Sequence, residues 1–463
     1  MKIFNTLTNK KEEFKPIEEN KVKIYACGPT VYDYFHLGNA RPFIIFDTLR
    51  RYFEYRGYDV QFVQNFTDID DKMIKRANNE GITVKELAER FINEYYKDAQ
   101  GLKIRKATYH PRATEVIPEI IDMCSRLIEN GFAYESNGDV YFSTKKFKQY
   151  GKLSHQPLED LEAGARIDVS DIKKDPMDFA VWKSKKEGEP YWDSPWGDGR
   201  PGWHIECSAM VNKYLGKTID IHCGGKDLAF PHHENEIAQS EAANGVEFAH
   251  YWMHNGYINI DNKKMSKSLG NFFTVRDLAQ KFSYEVLRFF MLSAHYRSPI
   301  NFSDDLLMQS QKGLDRIVTC LENLEFLNSK VTETGMTEEE KKQLDSFSES
   351  FIAHMDDDLN TADAIADIFD AVRVINSNVS ENPKKDYIEY ALKVLRELTG
   401  VLGIAQKNED DAVDEAKIEE LIAKRAEFKK QKDFAAADGV REELLNMGII
   451  IEDTREGVKW KRK

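Results

Sequence analysis

Long apolar runs are missing from this chain of 463 residues. No stretch approaches the roughly 18 apolar residues that suggest a membrane span, so no membrane segment is expected. The opening residues MKIFNTLTNKKEEFKP lack the apolar centre of a signal peptide, and a cytoplasmic protein is the expectation. Cysteine is sparse and scattered, at Cys27, Cys124, Cys207, Cys223 and Cys320. An odd number without a secretion signal reads as free thiols or metal ligands rather than disulfides. Positive charge is in deficit, with a net charge of -14. That argues mildly against a nucleic-acid partner, although an acidic body can carry a local basic patch. Tandem repeats and low-complexity tracts are also missing. What is present, 41% hydrophobic and 31% charged residues, describes a soluble globular chain, long enough for about two to four domains.

The N-terminal pattern is strand, helix, strand. VKIYACG, residues 22–28, reads as a short buried strand, and HLGNARPFIIFDTLRRYFEYR, 36–56, as a helix stopped by Gly57. YDVQFVQNF, 58–66, alternates as a second strand. This βαβ unit begins a doubly wound parallel sheet, in which ligands bind at the carboxyl ends of the strands. Cys27 and Thr67 fall at such ends. Residues 75–130 read as mostly helical, and the sheet pattern returns at TIDIHCGG, 218–225. The intervening stretch, from about 120 to 200, with loops rich in Lys, Asp, Pro and Gly, reads as an insertion. Helical patterns run from about 310 to 402. The acidic linker NEDDAVDE, 408–415, then precedes a small C-terminal unit.

Three motifs suggest chemistry. FPHHENEIAQS, 230–240, crowds imidazoles and carboxylates together. A zinc-protease motif would need His where Ile237 stands, but His232 and Glu236, at i and i+4, would share one helix face. HLGN, 36–39, opens the first helix, whose free N–H groups and positive dipole end suit phosphate. Alone it reads more readily as a helix cap with a surface histidine. KMSKS, 264–268, sits among polar residues, where Lys264 and Lys267 would form a cation clamp for phosphates. Alone it could be a solvated basic loop.

In this order on a βαβ fold, HLGN and KMSKS resemble the H-I-G-H and K-M-S-K-S signatures of class I aminoacyl-tRNA synthetases. Leu37 and Asn39 depart from the first signature, and Asn at its last position is typical of the cysteinyl branch. ACGPTVYDYFHLGNAR, NFTDIDDKMIKRA, GWHIECSAM and FPHHENEIAQS all look like blocks of that branch. The resemblance spans the chain. It implies a Rossmann-like catalytic domain split over 1–120 and 201–250, a connective insertion at 121–200 and a KMSKS-bearing junction at 251–310. A helical bundle at 311–404 and an anticodon-binding domain at 416–463 would follow.

The same resemblance implies one zinc per chain on Cys27, Cys207, His232 and Glu236, a mixture of S, N and O donors that Zn²⁺ accepts. His233 and Glu234 would support the site or contact ATP, and Cys223, where the family usually has Gly, is left out of the ligand set. The activity implied is ATP-dependent formation of cysteinyl-adenylate, with Mg²⁺ arriving on ATP, followed by transfer of cysteine to the terminal ribose of tRNA(Cys). Zinc would recognise the substrate thiolate. His36, Lys264 and Lys267 would act on the phosphates, with Gly38, Asn39 and Ser266 completing the ATP site and Asp227 on the ribose hydroxyls. Trp203 and Thr67 would line the amino-acid pocket, with Asp68 beside them. Helix capping for Asp227 and core packing for Trp203 remain open readings. Residues 424–463 hold 11 Lys or Arg against 8 Asp or Glu, so Lys429, Lys430, Asp438, Asp453 and Trp460 are the candidate tRNA contacts, with a solvated tail as the alternative. The enzyme is expected as a monomer. Two other readings stay open: a ligase joining cysteine to an amino sugar through the same adenylate, and an inactive RNA-binding paralogue.

Overall fold

The computed structural model of the protein describes residues 1–155, 173–260, 263–264, 273–406, 411–454 and 457–462. Its centre is a four-stranded sheet of β1 (Lys21–Ala26), β2 (Asp59–Gln64), β3 (Ile219–Gly225) and β4 (Ala249–Asn255), in the order β4-β3-β1-β2. Every neighbouring pair is parallel. Both faces of a parallel sheet are covered, so its strands bury side chains without alternation, and all seven residues of β3 are buried. Helix α1 (Leu37–Tyr55) makes the crossover from β1 to β2. The chain then returns on the other side of β1 to form β3. The direction of strand addition therefore reverses between β1 and β3, and a crevice opens outside their carboxyl ends. Two further helices border it, α2 (Ile205–Tyr214) and α3 (Glu234–Asn244).

The stretch expected as an insertion carries an antiparallel sheet of Ala133–Ser136, Asp139–Phe142, Phe179–Ser184 and Gly199–Pro201, paired in sequence order. Four helices follow the catalytic part, Asp304–Asn328, Glu338–Asp356, Thr361–Glu381 and Lys385–Leu402. The C-terminal segment forms the helices Asp411–Lys430 and Phe434–Asn446 and the hairpin Ile449–Thr454 with Gly457–Arg462. Its small core contains Ile418, Leu421, Val440, Leu444 and Ile449. Two compact units result. One is Met1–Gly313 with Ser350–Ala366 and Val401–Ile404, the other Leu314–Glu349, Asp367–Gly400 and Ala405–Lys463.

In the first unit a buried ion pair fixes α1. Asp47 and Arg288 are 3% and 0% exposed. The Arg288 guanidinium donates to Asp47 Oδ2 at 2.7 Å and to the Leu402 carbonyl at 2.7 Å, while Arg51 Nε donates to the same Asp47 oxygen at 2.7 Å. Burial alone would raise the Asp47 carboxyl, but Arg288 and Arg51 hold it below its ordinary value. Its stabilising contribution is thus fully present above the unfolded carboxylate value of about 3.9 and is lost as pH falls through the lower folded value. Removing one partner leaves a buried guanidinium without a counter-charge. Asp47→Ala should therefore lose about 3–5 kcal/mol in denaturant unfolding at neutral pH, and Asp47→Asn, which keeps an acceptor, should lose less.

Candidate metal centre and active site

The crevice gathers donors from three distant segments. Cys27 directly follows β1, and its N–H donates to the Cys223 carbonyl of β3 at 3.2 Å. Cys207 lies in the first turn of α2, while His232 and Glu236 flank the start of α3. The ligating atoms of these four buried residues all lie within 4.8 Å of one another. Cys27 Sγ is 3.5 Å from Glu236 Oε1, Cys207 Sγ is 3.6 Å from His232 Nε2, and His232 Nε2 is 3.0 Å from Glu236 Oε1. A tetrahedral zinc with bonds of about 2.0–2.3 Å sets its donors roughly 3.3–3.8 Å apart. The first two separations fall in that range and the third is shorter, so the four residues fit a zinc ion in chemistry and nearly so in spacing.

Their electrostatics favour the ligating form at Cys207 and Glu236 and the protonated form at Cys27 and His232, so a cation binding there would displace protons from the latter two. A hydrogen bond from Cys27, assisted by His232, draws the Cys207 thiol down to about 6, while burial pushes the Cys27 thiol up. Burial opposes charge on both Glu236 and His232, yet their mutual attraction prevails. Together with His222 it takes Glu236 down to about 2, and with Cys207 it takes His232 up to about 10.

An outer layer of imidazoles surrounds this set. His222 Nε2 lies 2.8 Å from Glu236 Oε2, and its ring stacks on Trp252 with centroids 4.4 Å apart. His204 Nδ1 is 2.7 Å from His232 Nδ1. His233 Nε2 is 3.3 Å from Cys27 Sγ, and its Nδ1 is 2.8 Å from His254 Nε2. Burial holds His204, His233 and His254 below their ordinary values. Cys27, His222, His233 and Glu236 form a second, overlapping set of donors. Sequence reasoning assigned no role to His204, His222 or His254. The signal was there for His222, a polar residue inside the buried strand IDIHCGG. Glu234, by contrast, accepts from the backbone N–H groups of Gly151, Leu153 and Ser154 at 2.9, 3.0 and 2.9 Å. Cys223 donates to the Tyr25 carbonyl at 3.4 Å and belongs to neither donor set.

Around this cluster lie the other residues singled out from the sequence. Trp203 is 45% exposed, with its ring 4.6 Å from that of His232. Thr67 is buried, and its hydroxyl donates to Glu206 Oε2 at 3.2 Å. A β-carbon on Gly28 would stand 1.7 Å from the Asn65 carbonyl oxygen, so only glycine fits between β1 and β2 there. Asp227 is exposed in the turn beyond β3, and a β-carbon on Gly225 would lie 2.5 Å from its Oδ1. His36 caps α1, its Nδ1 accepting from the Asn39 N–H at 3.3 Å. A neutral ring that accepts at Nδ1 carries its proton on Nε2, which makes Nε2 the donor. Gly38 and Asn39 form the same first turn. The backbone here is tied to residues 273–275: Leu37 N donates to Phe273 O at 3.1 Å and Val275 N to Phe35 O at 3.2 Å. Lys264 lies on the short strand Lys263–Lys264, paired with Asn259. Ser266 and Lys267 lie outside the described residues.

In the C-terminal segment, Lys429 and Lys430 end the helix Asp411–Lys430, and Asp438 is exposed on the following helix. Asp453 is engaged within the segment itself, accepting from Arg425 at 2.8 and 2.9 Å and from Lys429 at 2.8 Å. Trp460 packs against the local core, and its Nε1 donates to Glu419 at 3.2 Å.

Comparison with known proteins agrees with this geometry. Residues 13–312 match the family model of the tRNA synthetases class I (C) catalytic domain, and residues 350–406 match a DALR domain. The chain is 61% identical to the cysteine--tRNA ligase of Clostridioides difficile over all of both chains, and 57% identical to that of Lachnospira eligens, again over both full lengths. The fold is also that of Mycobacterium tuberculosis methionyl-tRNA synthetase in complex with methionyl-adenylate, with TM-score 0.61 and 16% identity over 83% of this chain and 90% of that one. The Agrobacterium radiobacter LeuRS, in a ternary complex with tRNA and LeuAMS, gives TM-score 0.61 at 12% identity over 84% of this chain and 85% of that one. With its parallel sheet, its two signature segments and full-length relatives all in agreement, the chain belongs to the cysteinyl family of class I aminoacyl-tRNA synthetases.

Proposed function

We propose that the protein activates L-cysteine with ATP, giving cysteinyl-adenylate and pyrophosphate, and then transfers cysteine to the 3′-terminal ribose of tRNA(Cys). The observation that carries this reading is the buried set of two thiols, one imidazole and one carboxylate at the mouth of the sheet, beside the helix that bears HLGN. Cys27, Cys207, His232 and Glu236 would hold one zinc ion. Bound there, zinc supplies a soft Lewis-acid contact that favours a substrate thiolate over the hydroxyl of serine. An apolar pocket separates such near neighbours poorly. Trp203 and Thr67 then shape the amino-acid pocket around that contact.

In the first step the cysteine carboxylate attacks the α-phosphate and pyrophosphate leaves. This is a matter of positioning and charge stabilisation. His36 donates from Nε2 to a phosphate oxygen, while the N-terminus of α1, with Gly38 and Asn39, adds its free N–H groups and dipole. Lys264, Ser266 and Lys267 stabilise the departing pyrophosphate with its Mg²⁺, and Asp227 accepts from the ribose hydroxyls. In the second step the tRNA ribose hydroxyl attacks the adenylate. Lys429, Lys430 and Asp438 lie on the surface of the C-terminal segment and are the proposed tRNA contacts there. Unpaired thiols at all five cysteines suit a reducing cytoplasm, no helix of the described residues is long and apolar enough to cross a membrane, and a monomer suffices because every proposed site residue comes from one chain.

Cysteine-dependent exchange of pyrophosphate into ATP, followed by transfer of labelled cysteine to tRNA, tests the reading. Acylation of an amino sugar instead of tRNA would overturn it. Serine activated as well as cysteine by zinc-loaded protein would remove the role given to the metal. Metal analysis of purified protein should find about one zinc per chain, with Cys207→Ala losing it and His222→Ala weakening it by about 10–100-fold. Lys267→Ala should slow exchange by about 10²–10³-fold while zinc content stays at the parent level.

A further inference from the structure

Arg41 is fully buried in the second turn of α1. Among the described residues no carboxylate pairs with it. Instead its guanidinium donates to four main-chain carbonyls: Gly256 and Tyr257 from one nitrogen, at 2.9 Å each, and His295 and Ser298 from the other, at 3.3 and 2.6 Å. Burying an arginine without a counter-charge is costly, and burial lowers its pKa to about 10. Such a group persists where its geometry has a use.

The four carbonyls stand at a structural junction. Gly256 and Tyr257 immediately precede the strand Ile258–Ile260, while His295 and Ser298 precede Ile300–Phe302, which pairs with it in parallel. Gly256 N donates to Tyr296 O at 2.8 Å and Ile300 N to Tyr257 O at 3.0 Å. The first of these strands pairs in turn with Lys263–Lys264. One side chain therefore binds the roots of two neighbouring strands to the helix whose first turn carries His36, Gly38 and Asn39.

We propose that Arg41 is a positioning residue for adenylate formation, fixing the strand that carries Lys264 against the phosphate-binding end of α1. It touches no substrate and acts through main-chain carbonyls. The planar fork of a guanidinium reaches two pairs of acceptors at once, which a lysine ammonium cannot do. A displaced cation clamp costs rate far more than binding of the amino acid. The proposal rests on the synthetase reading above, and its test separates the two.

Arg41→Lys keeps the charge and removes the fork. In the full-length protein it should lower kcat of cysteine-dependent ATP–pyrophosphate exchange, per active site titrated by adenylate burst, by about tenfold. KM for cysteine and zinc content should match the parent. Tryptic cleavage after Lys263 and Lys264 should quicken by about fivefold relative to cleavage elsewhere, since a loosened root opens locally. Gly256→Ala serves as the second variant should Arg41→Lys fail to fold. Its methyl would press within 2.7 Å of the Arg297 and Ser298 carbonyl oxygens, disturbing the same junction with the guanidinium intact. The same pattern is expected from it. A kcat per active site within twofold of the parent, or unchanged cleavage after both lysines, overturns the proposal whatever happens to the melting temperature. Absence of exchange in the parent protein would overturn the synthetase reading instead, and the cleavage result would still decide the role of Arg41.

Discussion

Parallel pairing of β1 with β3, which sets Ala26 beside Cys223, is the constraint on which the whole site depends. Because β2 is added on one side of β1 and β3 on the other, the connections leaving these strands diverge, and the crevice between them stays open. Cys27 leaves β1 at that point, and the turn after β3 leads into the segment carrying His232 and Glu236. A one-residue slip would turn each buried side chain to the opposite face. The donor geometry is thus a property of the sheet before it is a property of any loop. Gly28 answers to the pairing on the other side of β1, where the Asn65 backbone just beyond β2 leaves no room for a side chain.

Much of this was legible because local rules applied. The βαβ unit announced itself by two apolar strands, an amphipathic helix and Gly57 as its stop. His232 and Glu236 were separable from the false protease motif by helical spacing alone. The convergence of Cys27 and Cys207 was different: no local spacing brings together residues so far apart, and family resemblance supplied the pairing. His204, His222 and His254 went unassigned for the same reason. Each is an isolated imidazole in its own segment, and topology alone makes them neighbours. Arg41 gave no sign of burial, because a charged residue in a helix is ordinarily at its surface. Asp453 looked free to accept from a nucleobase, while its partner Arg425 lies on another element.

Two buried guanidiniums in the first unit illustrate distinct ways of keeping a charge inside a fold. Arg288 meets a full counter-charge in Asp47, which neutralises the pair and anchors α1. Arg41 meets carbonyl dipoles instead, so its positive charge is solvated by the main chain without being cancelled. That charge lies in the second turn of α1, near the end where the peptide dipoles are also positive. The two add, and an anion approaching His36 meets a stronger field than either would produce. On a protein with a net charge of -14, this is the end of α1 proposed to bind phosphate.

Glu234, which first looked like part of a protease signature, joins the antiparallel insertion to the helix that carries Glu236. Its carboxylate gathers three backbone N–H groups of the turn at 151–154. In the chain it stands two residues before Glu236, a member of the metal-binding set. An added module is usually free to drift in sequence and length, since loops tolerate change. Here Tyr150 and Lys152 of the same stretch reach that helix as well, at Asn235 and Glu241, so the graft is sewn to it at several points. A shift of that turn is therefore transmitted to the helix that carries Glu236.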